Sequence, residues 1–123
     1  DISAKQFVEW AKKIGTVLAV TGKEDWISDG RQLVRISNGD QRLQQITGTG
    51  CMSTALCGSA ATEDVFWGAV LGVFLISLGG ELGAKTLSLS EGSGTLRVRL
   101  IDQLNLMMPK TILENGRISH EIF

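Results

Sequence analysis

Near the start of the chain, Phe7, Trp10, Ala11 and Ile14 recur at helical spacing behind a Ser3/Gln6 pair that reads as a capping box. This pattern predicts a helix over residues 4–14, closed by Gly15. Residues 16–20 form a short apolar run, which predicts a buried strand of a parallel sheet ending at a Thr21-Gly22 turn. Residues 25–28 and 32–36 flank Asp29-Gly30 and predict a hairpin, with Asp25 and Asp29 solvated or capping. A turn at Asn38-Gly39-Asp40 leads into residues 43–46, read as a second strand. Three helices follow, over residues 52–61, from 65 to at least 78, and from about 94 with Leu96, Leu100, Leu104 and Met107 on one stripe. Pro109 is expected to stop the last helix, leaving 110–123 as a tail that can end in a short strand.

Two strands that end in small-residue turns point to α/β architecture, with a site at the carboxyl ends of the strands. If both strands share one parallel sheet, the turns at Thr21-Gly22 and Thr47-Gly48 line the same edge.

Composition narrows the class. The chain has 123 residues, 43% hydrophobic and 20% charged, as expected of one small soluble globular domain. A net charge of −1 supplies no basic field for nucleic acid. The apolar run of residues 65–78 falls short of the ~20 residues a membrane span needs, so it is read as a helix buried between the sheet and a partner subunit. Cys51 and Cys57 lie on one predicted helix, separated by a rise of roughly 9 Å, beyond the usual reach of a disulfide. Unpaired thiols and the lack of a signal peptide favour the reducing cytoplasm as the compartment.

The strongest chemical signal is Ile46-Thr47-Gly48-Thr49-Gly50-Cys51-Met52. A Gly-spaced turn that opens a helix leaves backbone N–H groups unpaired at its positive end, which suits a phosphate. Gly48, Thr49 and Gly50 form the expected anion cradle, and no Gly-Lys-Ser/Thr follows at P-loop spacing. Cys51, in the first turn, is a candidate base or polar contact for a reacting hydroxyl, set against the plainer role of a small residue packed on a turn. Thr21 is a candidate phosphate contact. Residues 91–95, Glu-Gly-Ser-Gly-Thr, either line a nucleotide pocket or cap the next helix. Cys57 is expected in the core, and His120, the only histidine, on the surface.

Taken together, Val20-Thr21-Gly22-Lys23-Glu24-Asp25, Ser28-Asp29-Gly30, Ile46-Thr47-Gly48-Thr49-Gly50-Cys51 and Gly92-Ser93-Gly94-Thr95-Leu96-Arg97-Val98 with Leu100-Ile101-Asp102 resemble hydroxyethylthiazole kinase, of the ribokinase-like superfamily. The resemblance implies a ribokinase-like three-layer α/β/α fold. Residues 1–123 would be the C-terminal half of a single kinase domain, with the match strongest over 1–108 and 109–123 as a tail without a counterpart.

The reaction implied is transfer of the ATP γ-phosphoryl group to the hydroxyl of 4-methyl-5-(2-hydroxyethyl)thiazole, with Mg²⁺, in thiamine biosynthesis. By the same resemblance Thr21 contacts ATP and Gly48 contacts substrate. Cys51 is catalytic where most relatives carry aspartate, and Thr49, Gly50 and Cys51 supply anion-hole amides. The implied partners are an N-terminal half of the same enzyme and two further copies of the complete protein, in a homotrimer. Leu96 stands where the family usually has Phe, and Ser93 where it often has Pro. Two alternatives remain open: a non-catalytic binding or assembly fragment, and a ribokinase-like kinase for another small alcohol.

Overall fold

In the computed structural model, which describes residues 2–123, one antiparallel sheet lies between helices on both faces. Helix α1 spans Ala4–Ile14. The Ser3 hydroxyl accepts from the Gln6 N–H and the Gln6 side chain accepts from the Ser3 N–H, so the predicted capping box is formed. Gly15 closes the helix in the left-handed conformation. Only one side of the apolar stripe is buried: Phe7, Val8 and Ala11 are covered, whereas Trp10 and Ile14 face outward.

Strands β1 (Leu18–Val20), β2 (Asp25–Ser28), β3 (Gln32–Ile36) and β4 (Ile118–Ile122) pair in that order. All three pairings are antiparallel. The parallel sheet expected from the run at residues 16–20 is therefore not formed within this chain, and β1 is a half-exposed edge strand. The reason is connection length: residues 21–24 join β1 to β2, and a parallel crossover takes a dozen residues or more. The hairpin at Asp29-Gly30 is where the pattern placed it. Asp29 caps it, accepting from the N–H groups of Arg31 at 2.8 Å and Gln32 at 3.1 Å.

Side chains alternate across the sheet, and each face has its own core. Leu33 and Trp26 pack against Phe7 and Val8 of α1. Ile27, Val34 and Ile36 pack on the other face against Phe66, Val70, Val73, Phe74 and Leu78. These last belong to α3 (Val65–Lys85), which Asp64 caps by accepting from the Trp67 N–H. Helix α3 is long and apolar enough to cross a membrane, yet 72% of its most apolar stretch is buried inside the protein. It lies on the sheet, with α2 (Thr49–Ala60) and α4 (Ser93–Leu106) packed alongside. The three layers are thus α1, the sheet, and α3 with its two neighbours.

Two further expectations change. Residues 43–46 are not a strand. Gln41–Gln45 form a 3₁₀ turn, capped by Asp40, which accepts from the Arg42 N–H at 2.9 Å. Leu43 and Ile46 are three apart, so on such a turn they share a side, and both pack on Ala84 and Leu96. The segment after Pro109 also differs: α4 ends at Leu106, just before Pro109 as expected, but Pro109 then opens α5 (Pro109–Asn115) from its first position, where a missing N–H costs nothing. The segment read as a tail then continues into β4, which completes the sheet beside β3. Leu96 and Leu100 of the α4 stripe are fully buried, and Leu104 and Met107 half-buried.

Candidate active site

The Gly-rich turn begins helix α2 three residues earlier than its pattern predicts. Gly48, at φ 98°, occupies the cap position, a conformation that a Cβ would strain. The first intrahelical bond runs from the Met52 N–H to the Gly48 carbonyl at 2.9 Å. The N–H groups of Thr49, Gly50 and Cys51 precede it, and among the described residues none of them has a protein acceptor. The Thr49 hydroxyl turns backward, donating to the carbonyls of Ile46 at 3.4 Å and Leu43 at 3.5 Å, so the turn is locked to the 3₁₀ segment before it.

A cleft of about 780 Å³ opens beside this helix end. Thr21 and Gly22 line one wall, Asn38, Gly39 and Asp40 a second, and Thr49, Gly50 and Ser53 a third. Thr21 and Gly22 share this cavity with Thr49 and Gly50, whereas the Thr47-Gly48 turn expected beside them at the edge of a parallel sheet is not in its lining. Gly48 and Cys51 stand outside the cleft lining, and the Cys51 thiol is free and exposed. Cys57 is half-buried against the α3 core, its thiol donating to the Ala69 carbonyl at 3.4 Å. Burial pushes that thiol up from its ordinary value. Residues 91–95 are not part of the cleft wall; Gly92 caps α4, and no side chain bonds its first turn. His120 is on the surface, edge-on to Trp67 and with its Nε2 2.8 Å from Oε1 of the Gln32 side chain.

Two buried carboxylates were not legible as site residues. Asp25, expected to be solvated or capping, is 4% exposed and lines the cleft. Its carboxylate accepts from the Ser77 hydroxyl at 2.6 Å and the Gly22 N–H at 3.0 Å, holding the Thr21-Gly22 turn against α3. Its place on β2 turns it inward, beside Ile27 in the alternation. Burial raises the Asp25 carboxyl above its usual value despite those two hydrogen bonds, and the Glu24 charge adds to the rise.

Glu81 is the second, one turn beyond Ser77 on α3 and 6% exposed. Burial alone would raise it too, but the hydrogen bonds of Arg117, Asn38 and the Gly39 N–H outweigh burial and hold it below the usual range. A Glu in a Gly- and Leu-rich helix was the one available signal; its partners lie 36 to 43 residues away in sequence.

The two groups act oppositely on stability. Asp25, with a raised folded value, contributes stability that is full below its unfolded pKa of 3.8 and is lost as pH rises through the raised value. Glu81, with a lowered value, contributes stability present above 4.5 and lost as pH falls through the lowered value. Asp25→Asn is therefore expected to leave stability near pH 3 unchanged and to raise it at neutral pH, since an amide oxygen still accepts from Gly22. Urea titrations at the two pH values measure this, and equal shifts at both would contradict it.

The family model for the hydroxyethylthiazole kinase family matches residues 2–110. The chain belongs to this family. It is 43% identical over 113 residues to a hydroxyethylthiazole kinase of Clostridium botulinum (strain Alaska E43 / Type E3), covering 90% of this chain and 40% of that protein. It is 44% identical over 112 residues to that of Desulfitobacterium hafniense, covering 88% and 41%. Among solved structures, the hydroxyethylthiazole kinase protein from Pyrococcus horikoshii OT3 superposes with a TM-score of 0.86 at 27% identity, over 95% of this chain and 45% of that one. The fold is accordingly part of the ribokinase-like α/β class. The chain spans about two fifths of the length of the curated relatives it matches.

Proposed function

We propose that this chain is the C-terminal half of a hydroxyethylthiazole kinase, which transfers the γ-phosphoryl group of ATP to the hydroxyl of 4-methyl-5-(2-hydroxyethyl)thiazole. The observation that carries this reading is the start of α2. Three N–H groups without acceptors, on Thr49, Gly50 and Cys51, stand where Thr49 and Gly50 wall a cleft of about 780 Å³. A cavity of that size falls in the usual range for small-molecule sites, ~300–1,000 Å³.

Phosphoryl transfer asks mainly for positioning and for stabilisation of charge on the equatorial oxygens. In this reading the three amides and the positive end of α2 take that charge. Thr21, across the cleft, contacts the nucleotide, Gly48 contacts the thiazole alcohol, and Cys51 receives the hydroxyl proton. Mg²⁺ accompanies ATP as counter-charge to its phosphates. The cleft carboxylates do not fit as its ligands: Asp25 accepts from Ser77 and Gly22, and Asp40 from Arg42 through both oxygens. Metal donors would have to come from the other half.

Surfaces left bare fit a larger protein. β1 pairs only with β2, so its outer edge offers backbone groups to a strand of the N-terminal half. Of α2, only Ser53 is buried. Val65, Trp67 and Leu71 are exposed on α3, an apolar surface for the homotrimer to bury. Mixing the chain with its N-terminal half is expected to give ADP release dependent on the thiazole alcohol, with none from this chain alone. A folded pair that releases no ADP with that alcohol would reject the reading.

A further inference from the structure

Residues 37–40 belong to no helix or strand, yet Asn38, Gly39 and Asp40 among them form one wall of the cleft. What holds them comes largely from two distant places, the C-terminal segment and α3. The Ser37 N–H donates to the Arg117 carbonyl at 2.9 Å, and the Arg117 guanidinium donates to the Ser37 carbonyl at 2.9 Å. The Asn38 side chain, itself 4% exposed, accepts from the Arg117 N–H at 2.7 Å and donates to the Asn115 carbonyl at 2.9 Å. It donates also to Glu81 at 3.1 Å, and the Gly39 N–H donates to the same carboxylate at 3.3 Å. Arg117 closes the network by forking onto Glu81, one arm at 3.2 Å. Apart from a surface bond from the Ser37 hydroxyl to Glu24, no other side chain fixes residues 37–39.

The geometry points to Glu81 and Arg117 as positioning residues that clamp the Asn38-Gly39 wall of the cleft and so set its affinity for nucleotide. Neither of the pair lines the cleft; they act through Asn38 and Gly39. Glu81 supplies two acceptors to a loop that has no ladder of its own. Arg117 keeps that buried carboxylate ionised and adds its own backbone to the loop. Ser77, one turn earlier on α3, does the matching task for the opposite wall through Asp25 and Gly22. The two polar residues buried on α3 thus fix the two walls of one cavity. Arg117 immediately precedes β4, so the clamp ties the C-terminal strand to the site.

The proposal rests on the kinase reading, and its test separates the two. In the complete kinase, Arg117→Ala is expected to raise the KM for ATP about tenfold with kcat changed less than about threefold, the signature of lost binding common to ground and transition states. Arg35→Ala is the control: it breaks the other ion pair holding β4, Arg35–Glu121 at 2.9 Å, without touching the loop, and should leave KM unchanged. In the chain alone, Arg117→Ala should speed amide exchange of Gly39. An active wild type whose ATP KM ignores Arg117→Ala, or responds equally to Arg35→Ala, overturns the clamp alone. A wild type inactive on the thiazole alcohol overturns the kinase reading and the clamp with it.

Discussion

Replacing Cys51 by alanine is expected to lower the turnover of the complete kinase about 10²-fold while leaving its melting temperature nearly unchanged. The small stability effect follows from the thiol's surroundings. It is exposed, makes no hydrogen bond among the described residues, and sits in the first turn of α2, where alanine is a good helix former. The large rate effect follows from the proposed role. A base that takes the hydroxyl proton during transfer contributes typically 10²–10⁴-fold. The lower end applies here, because phosphoryl transfer needs little proton removal before the transition state and the three cradle amides survive the substitution. Turnover and thermal melting of the two proteins, measured side by side, check both halves. An unchanged rate removes Cys51 from the mechanism; a melting temperature that falls with the rate makes it a packing residue.

How much of this was legible in the sequence depends on how local each cause was. The capping box at Ser3 and Gln6 and the hairpin at Asp29-Gly30 rest on residues two or three apart, and both formed as read. The meeting of Thr21-Gly22 with Thr49 and Gly50 at one cleft was not read in that form: the expected partner was Thr47-Gly48 on the edge of a parallel sheet, and neither of those two residues lines the cleft. The strand expected at residues 43–46 failed because Leu43 and Ile46 answer to Ala84 and Leu96, some forty to fifty residues on, rather than to a sheet neighbour. The parallel sheet failed for a local reason: the four residues between β1 and β2 are too few for a parallel crossover, and among the described residues no strand pairs in parallel with β1. Asp25 and Glu81 were missed because a carboxylate's burial is decided by its distant donors, Ser77 for one and Asn38 and Arg117 for the other.

The same dependence on distant neighbours sets the second large effect. Gly72→Ala is expected to destabilise the chain by about 3 kcal/mol, lowering its melting temperature by roughly 10 °C. A Cβ at Gly72 would stand 2.4 Å from the Cys57 backbone nitrogen and 2.6 Å from its sulfur. The backbone atom cannot rotate aside, so α2 itself must move off α3. A Cβ at Gly68, one turn earlier, would likewise stand 2.6 Å from the Ala60 backbone, so the seam leaves no room for α2 to pivot about either contact. Alanine's better helix propensity returns only ~1 kcal/mol of the cost. Gly58→Ala, on α2 where a Cβ would meet nothing within 4 Å, isolates that term and should stabilise by about 1 kcal/mol. Opposite signs at the two glycines, read by urea titration, would establish that the close α2–α3 seam holds α2 in place. Because α2 carries Thr49, Gly50 and Cys51 at its start, the folded fraction of Gly72→Ala should also bind nucleotide more weakly in the complete kinase. Equal stabilisation at both positions would mean that the seam can open without cost, and that the cradle is held by its own turn rather than by α3.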